Sequence, residues 1–262
     1  MHFFLLLLQI PENRTRLAVG EILAQQIRNL IFRLAHSVVI IAFAVGLFHL
    51  GNSPPFFLRT EGDAGCFQFV RVKPFGTGFQ LIILVQRLVL RPFKTDDAEP
   101  MYRNWASDPE VTKYLTWPAH SSVEVSEHVI ADWTEQLKDP AFYQWAIELK
   151  EIKEPVGSIS VVRIDEQTES FDIGYCIGRK WWHKGITPEA LTAVIAFLFD
   201  QVHVRCVRAC HDTNNPNSGK VMIKSGMKYD GTRRQAGVNN QGIIDEAWYS
   251  ILRSEYENRN PE

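Results

Sequence analysis

Lys180, His183, Lys184 and Gly185 crowd together just ahead of an apolar helical run, a grouping suited to holding an anion. Thr187 reads as a helix N-cap, because its hydroxyl can accept from the first free amides. Pro188 fits the first helical position, where no amide hydrogen is required. Glu189 follows in the first turn, where the helix dipole favours an acid. The backbone N–H groups from His183 through Gly185 and Ile186 to Thr187 then lack intrahelical acceptors and can point at a phosphate. The plain alternative is an ordinary strand–helix connection with a solvated basic loop. Asn215 and Ser218 are a second pair. Three residues apart at a predicted helix start, both can face one ligand, although capping alone would also explain them.

The elements that must position these groups are written around them. Phe171 to Ile177 reads as a strand entering the basic loop. Leu191, Val194, Ile195, Leu198 and Phe199 make one apolar stripe on a 3.6-residue repeat, which predicts the helix leaving it. Arg87 to Phe93 alternates as a strand does. Thr95 is expected to cap a helix running to about Ser107. Ser121-Ser122-Val123-Glu124 matches a capping box and opens a helix through Val129, Ile130, Trp133 and Leu137. Phe142 to Leu149, Val156 to Ile164 and Ser170 to Ile177 are three consecutive strands. Val204 to His211 is another. Asn215 and Pro216 then open a short helix that Gly226 stops as a left-handed residue. Two final strands cover about Lys228 to Gln235 and Ile244 to Leu252. Three sequential strands imply antiparallel hairpins, and the later alternation implies parallel neighbours. The expected fold class is α/β with a mixed sheet and helices on both faces, over residues 87–262.

Residues 1–86 differ from the rest. Met1 to Leu8 is apolar but has no basic lead and no cleavage signature, which argues against a secretory signal. The apolar run from Ser37 to Leu50 is about 14 residues, short for a bilayer crossing. Extending it brings in Arg33 and His36, each costly at membrane depth. Two readings compete: a membrane-associating or partner-binding leader, and non-native sequence read from a start set too far upstream. The missing caps and unsteady periodicity favour the second, and this extension is expected to pack poorly against the rest.

The chain has 262 residues, 45% hydrophobic and 22% charged, with a net charge of −2. A polyanion binder should be markedly basic, so nucleic acid is not an expected partner. Four cysteines, Cys66, Cys176, Cys206 and Cys210, make no disulfide framework in a chain this long. Cys206 and Cys210 would lie ~13 Å apart along one strand, too far to bridge. No familiar zinc spacing is present, so no metal is expected. A reducing, cytoplasmic setting follows.

Trp182-His183-Lys184-Gly185-Ile186-Thr187-Pro188-Glu189-Ala190-Leu191 resembles the acetyl-CoA pyrophosphate loop of the GNAT-superfamily N-acetyltransferases. It is most similar to the ribosomal-protein alanine acetyltransferase (RimJ/RimL-like) branch. The family's loop is Gln/Arg-x-x-Gly-x-Gly/Ala. Here Lys180 takes the first position, His183 replaces the first glycine and Gly185 keeps the second. A Cβ at His183 would hinder close approach to a phosphate. Leu88-Val89-Leu90-Arg91-Pro92, Ile173-Gly174-Tyr175, Asn215-Pro216-Asn217-Ser218, Lys224-Ser225-Gly226-Met227, and Asp245 with Tyr249 to Arg253 match in order, over about residues 87–257.

The resemblance implies a GNAT-like, mostly antiparallel twisted sheet and acetyl transfer from acetyl-CoA, as co-substrate, to a primary amine. A protein N-terminal amine is the implied acceptor. A small amine (polyamine, amino acid or aminoglycoside) and a non-catalytic CoA-binding module are the alternatives. Pantetheine should lie along the strand ending Tyr175-Cys176-Ile177, pairing as an added strand would. A backbone N–H near Cys176 or Ile177 would polarise the carbonyl. Asn215 would hold the CoA arm, and Ser218 would give a proton to the departing thiolate. Asp172 is the implied base, with Glu169, His211 and Asp212 as rivals. Trp117, Tyr143, Trp145 and Trp248 could line an acceptor groove or simply pack. Cys176 has nothing basic beside it in sequence, which makes it an inert thiol. Cys210 and His211 face opposite sides of their strand. The chain is expected to be a monomer or a homodimer.

Overall fold

A computed structural model describes residues 59–60, 67–68, 70–75 and 78–259, with side chains from 82 onward. The apolar run at Ser37 to Leu50, Cys66 and most of the N-terminal extension lie outside these residues. Two short strands, β1 (Arg59–Thr60) and β2 (Phe67–Gln68), pair with each other. The main sheet has nine strands in the order β10-β11-β9-β8-β7-β6-β5-β4-β3. They are β3 (Val70–Phe75), β4 (Gly78–Leu84), β5 (Leu88–Arg91), β6 (Gln144–Leu149), β7 (Glu154–Asp165), β8 (Ser170–Ile177), β9 (Cys206–Asp212), β10 (Lys228–Asn239) and β11 (Gly242–Leu252). Every neighbouring pair is antiparallel except β8–β9, which is parallel. The mixed α/β sheet is therefore as expected, mostly antiparallel.

The sheet begins before residue 87. β4 pairs with β5 through Ile83↔Leu90 and Leu84↔Val89. Ile83 and Val85 are buried in the main core. The described end of the extension is thus a sheet strand, where no sustained period marked one.

Helices cover both faces. On one lie α4 (Ile186–Phe197) and α5 (Pro216–Lys224). The whole stripe Leu191, Val194, Ile195, Leu198 and Phe199 is buried, and so are Ala190, Ala193, Ala196 and Phe197. A helix buried nearly all round sits inside a core and not merely on one, and sequence periodicity saw only its most apolar side. On the other face α1 (Ala98–Met101), α2 (Pro109–Thr112) and α3 (Val123–Gln136) enclose a second cluster around Phe93, Met101, Trp105 and Ile130. A short α6 (Arg253–Glu257) ends the described chain.

Two helix starts differ from expectation. Thr95 does not cap a continuous helix. A 3-10 turn, Thr95–Asp97, leads into α1, and a wide turn, Tyr102–Ala106, follows with Ser107 N donating to Tyr102 O. The Asp97 carboxylate takes the capping role, accepting from Lys94 N at 2.7 Å. At α3 the N-cap is Ser122, one residue later than the capping box predicts.

His120 ties the α2–α3 connection down. Its Nδ1 pairs with Ser126 Oγ at 2.8 Å, and its amide donates to Ala106 O. Burial pushes the imidazole below its ordinary value of 6.5. On acidification the unfolded chain takes up this proton first, so its contribution to stability is complete above about pH 6.5 and is lost as pH falls through the lower folded value. Urea unfolding of the wild type and His120→Gln at pH 7.5 and 5.5 should show the stability gap between them shrinking at the lower pH. A gap independent of pH would contradict this.

Candidate functional site

The parallel register of β8 and β9 runs Ser170↔Cys206, Phe171↔Val207, Asp172↔Arg208 and then stops. Beyond it Ile173 to Ile177 continue without a β9 partner, while Ala209 to Asp212 pair with β11 alone. The strands fork. Gly178 N donates to Val156 O, across from β8's end. Main-chain groups alternate sides along a strand, so Cys176 and Gly174 also turn theirs to β7. Tyr175 and Ile177 therefore turn theirs into the fork. Of the two amides expected to polarise a carbonyl, Cys176 is committed to the sheet, and Ile177 faces the open side. Trp182 Nε1 donates to Ile177 O at 2.9 Å, which leaves the Ile177 N–H as that residue's fork-facing group.

The fork opens into a cleft of about 350 Å³. Tyr175, Cys176 and Ile177 line it from the strand. Trp182, His183, Gly185, Ile186 and Thr187 line it from the basic loop, and Asn214, Asn215 and Ser218 from the start of α5. Glu110, Lys113, Tyr114 and Leu115 close the α2 side. Lys220 and Lys224 also border it. The lysines outnumber the single acid, which favours an anion at the mouth.

The α4 start is built differently from the sequence reading, with the same consequence. The N-cap is Gly185, at φ 73°, and not Thr187. The first intrahelical bond is Glu189 N to Gly185 O. Ile186 and Thr187 hold the first positions with free amides, and Pro188 falls where the amide would have been an orphan anyway. His183 also adopts a positive φ, 59°. That region costs a side-chain residue about 1 kcal/mol or more, which gives a physical reason for the glycine in the resembled loop.

Arg87 joins the site with no local sequence signal to mark it. Its Nε donates to Glu189 Oε2 at 2.7 Å, its backbone N to Glu189 Oε1 at 2.9 Å, and its Nη1 to Lys184 O at 3.1 Å. Glu189 would otherwise repel an anion at this helix start. The guanidinium offsets that charge and fastens the loop to the sheet.

Tyr175 Oη lies 3.0 Å from both Ser218 O and Ser218 Oγ. Burial raises its phenol well above the ordinary range, so it stays protonated and can donate. Asn215 makes no side-chain capping bond, although Pro216 does occupy the first position of α5 as expected. Its amide is thus spared for the cleft it lines.

Asp172, Lys180 and Lys184 are not among the residues lining the cleft. Asp172 is buried and paired with Arg208 Nε at 2.6 Å, which gives it an ion-pairing place at the fork's closed end. Lys180 Nζ sits over the Trp181 ring. Lys184 contributes its carbonyl to Arg87. Of the rival bases, His211 uses Nδ1 on Asp212 O and buries Nε2 beneath Gly219, and Asp212 is tied to asparagines. Burial raises the Cys176 thiol, which contacts Ser158 Oγ at 3.3 Å, and pushes Cys210 up to about 12. Neither is a ready nucleophile at neutral pH. Trp145 and Tyr143 pack in the main core and Trp117 against the second cluster. Trp248 bonds Glu246 and carries Arg233 over its ring. Among the described residues no group of three metal-ligating side chains occurs, and no helix is long and apolar enough to cross a membrane.

A fork with unpaired main-chain groups leading to free amides at a helix start fits an extended chain that ends in a diphosphate. The sequence model of the acetyltransferase (GNAT) domain matches residues 87–228. An uncharacterized N-acetyltransferase of Bacillus licheniformis is 28% identical over 174 residues, 66% of this chain and 97% of that protein. The ribosomal-protein-serine acetyltransferase of Escherichia coli is 22% identical over 174 residues, with the same two shares. Among solved structures, the microcin C7 self-immunity acetyltransferase in complex with acetyl-CoA and AMP superposes with a TM-score of 0.60 at 20% identity, over 68% of this chain and 97% of that one.

Proposed function

Since the chain belongs to the GNAT acetyltransferase family, we propose that it transfers the acetyl group of acetyl-CoA to the N-terminal amine of a protein, by direct attack in a ternary complex. The fork between β8 and β9 carries this reading. The free N–H and C=O of Tyr175 pair with the pantetheine amides as an added strand would. The amides of Gly185, Ile186 and Thr187 take the diphosphate, with Lys220 and Lys224 beside it. The Ile177 N–H is placed to polarise the thioester carbonyl. Ser218 Oγ, backed by Tyr175, meets the sulfur as negative charge develops there. Glu110 is the carboxylate on the described cleft wall. In this reading it holds the incoming ammonium and takes its proton, so that the neutral amine attacks the carbonyl as the C–S bond breaks and Ser218 protonates the thiolate. A relative named as a ribosomal-protein-serine acetyltransferase supports a protein acceptor over a small one.

The full chain is the material to test, because cutting at 87 would remove the β4 strand paired to β5. Thiol release from acetyl-CoA should appear with peptides bearing a free N-terminal Ala or Ser, and exceed that with polyamines or aminoglycosides. Turnover confined to small amines would replace the acceptor. Calorimetry with no heat on titrating CoA would end the cofactor assignment.

A further inference from the structure

Asp212 is buried, 3% exposed, at the end of β9, and the reaction just described does not use it. Its Oδ1 accepts from Asn214 N at 2.8 Å and Asn214 Nδ2 at 3.0 Å. Its Oδ2 accepts from Asn239 Nδ2 at 2.9 Å. Its own carbonyl accepts from Asn215 N at 2.7 Å. Among the described residues no cation is paired with it. A carboxylate taken from water and met only by neutral donors recovers less than one met by a cation, so stability alone is a poor reason for it.

What the carboxylate joins is more telling. Asn214 and Asn215 lead into Ser218 and form one wall of the cleft. Asn239 stands at the tip of the β10–β11 hairpin, and its Oδ1 accepts from Gln241 N at 2.7 Å. The next residue, Asn240, donates its side-chain amide to Thr112 O at 2.8 Å and Trp117 O at 2.7 Å, and its backbone N to Leu115 O at 3.1 Å. Tyr114 and Leu115 are the opposite wall. Through the hairpin tip, one buried group is bonded toward both sides of the site.

We infer that Asp212 is a positioning residue that sets the two walls together, holding Ser218 at the sulfur and the α2 loop at the acceptor entrance. This rests on the acetyl-transfer reading. The anion loop from His183 to Thr187 shares no hydrogen bond with the network, so the grip on the diphosphate is not part of its work, and Asn215 alone links it to the cofactor arm.

Asp212→Asn tests this closely. The replacement amide can still accept from Asn214 but turns an NH2 toward the NH2 of Asn239. The double variant D212N/N239D reverses the pair: the new carboxylate accepts from the new amide and still accepts from Gln241 N. In D212N, hydrogen exchange should rise about tenfold or more at 112–117 and 213–218 together. The kcat should fall about tenfold or more, since misplacement near 1 Å can cost more than that, while the acetyl-CoA Kd stays within about threefold. D212N/N239D should recover most of both. Exchange that rises on one wall only, or a double variant that folds without recovery, would overturn the inference. Should D212N fail to fold, Asn239→Ala cuts the hairpin's link to Asp212, together with the Gln241 N bond inside the tip, and leaves the Asn214 side of Asp212 intact. It should raise exchange at 112–117 and the acceptor KM while 213–218 stays protected, and an unchanged 112–117 would overturn the inference. If no amine is acetylated yet the exchange pattern is as stated, the acetyl-transfer reading fails and the positioning role stands.

Discussion

Replacing Ser218 by alanine is expected to lower kcat about 100-fold while the KM for acetyl-CoA moves less than about threefold, the size of effect seen when one preorganised donor to a developing anion is removed. The expectation rests on the hydroxyl pair at the fork. Tyr175 Oη can donate to Ser218 O, and Ser218 Oγ lies equally close to it. With the phenol held protonated by burial, its hydrogen can satisfy the carbonyl and leave the serine O–H free to turn into the cleft. The alanine variant removes that donor and leaves the wall intact, so binding of the cofactor arm should survive. Tyr175→Phe should cost less, because Ser218 keeps its own hydrogen, although the serine loses its anchor. Retention of full kcat in Ser218→Ala would remove the residue from the chemistry.

Asp97→Ala should destabilise the fold by about 3 kcal/mol, the low end of the usual cost of breaking a buried pair, because Glu148 still partly compensates Arg91. Arg91 Nη1 and Nη2 meet Asp97 at 2.6 and 2.9 Å, and Arg91 Nε meets Glu148 at 2.5 Å. The Arg91 and Asp97 side chains are each only 7% exposed. Loss of Asp97 also orphans the amide of Lys94. At 2–4 °C per kcal/mol for a domain of this size, the melting temperature should drop roughly 10 °C. Replacing both partners with apolar residues, as in R91M/D97L, should cost less than the single change if Glu148 is made neutral as well, since it is the unpaired charge and not the missing pair that is penalised. Thermal unfolding by calorimetry reads all three. A loss below about 1 kcal/mol for Asp97→Ala would mean water reaches the guanidinium.

Much of this molecule is legible in short windows. The apolar stripe from Leu191 to Phe199, Pro216 opening α5, and Gly226 closing it at φ 90° are each decided by a few neighbouring residues. The strand Ser170–Ile177 falls where alternation places it. Even the misplaced cap at α4 is a local ambiguity, for Gly185 and Thr187 are two residues apart and either can start a helix. Gly185 takes the role because the loop must turn left-handed there.

The chain's own order of residues was enough to place most elements from residue 88 onward, their sequence and a basic loop ahead of α4, because backbone preferences and apolar periodicity act over one or two turns. Folding in three dimensions decided what those elements enclose. The fork exists because β8 and β9, 36 residues apart at Asp172 and Arg208, stop sharing hydrogen bonds after that pair. Arg87 reaches Glu189 across 102 residues, Tyr175 reaches Ser218 across 43, and Asp172 is withdrawn from the cleft by a partner on the next strand. Contacts of that separation carry no period, so only the packed sheet could bring them together.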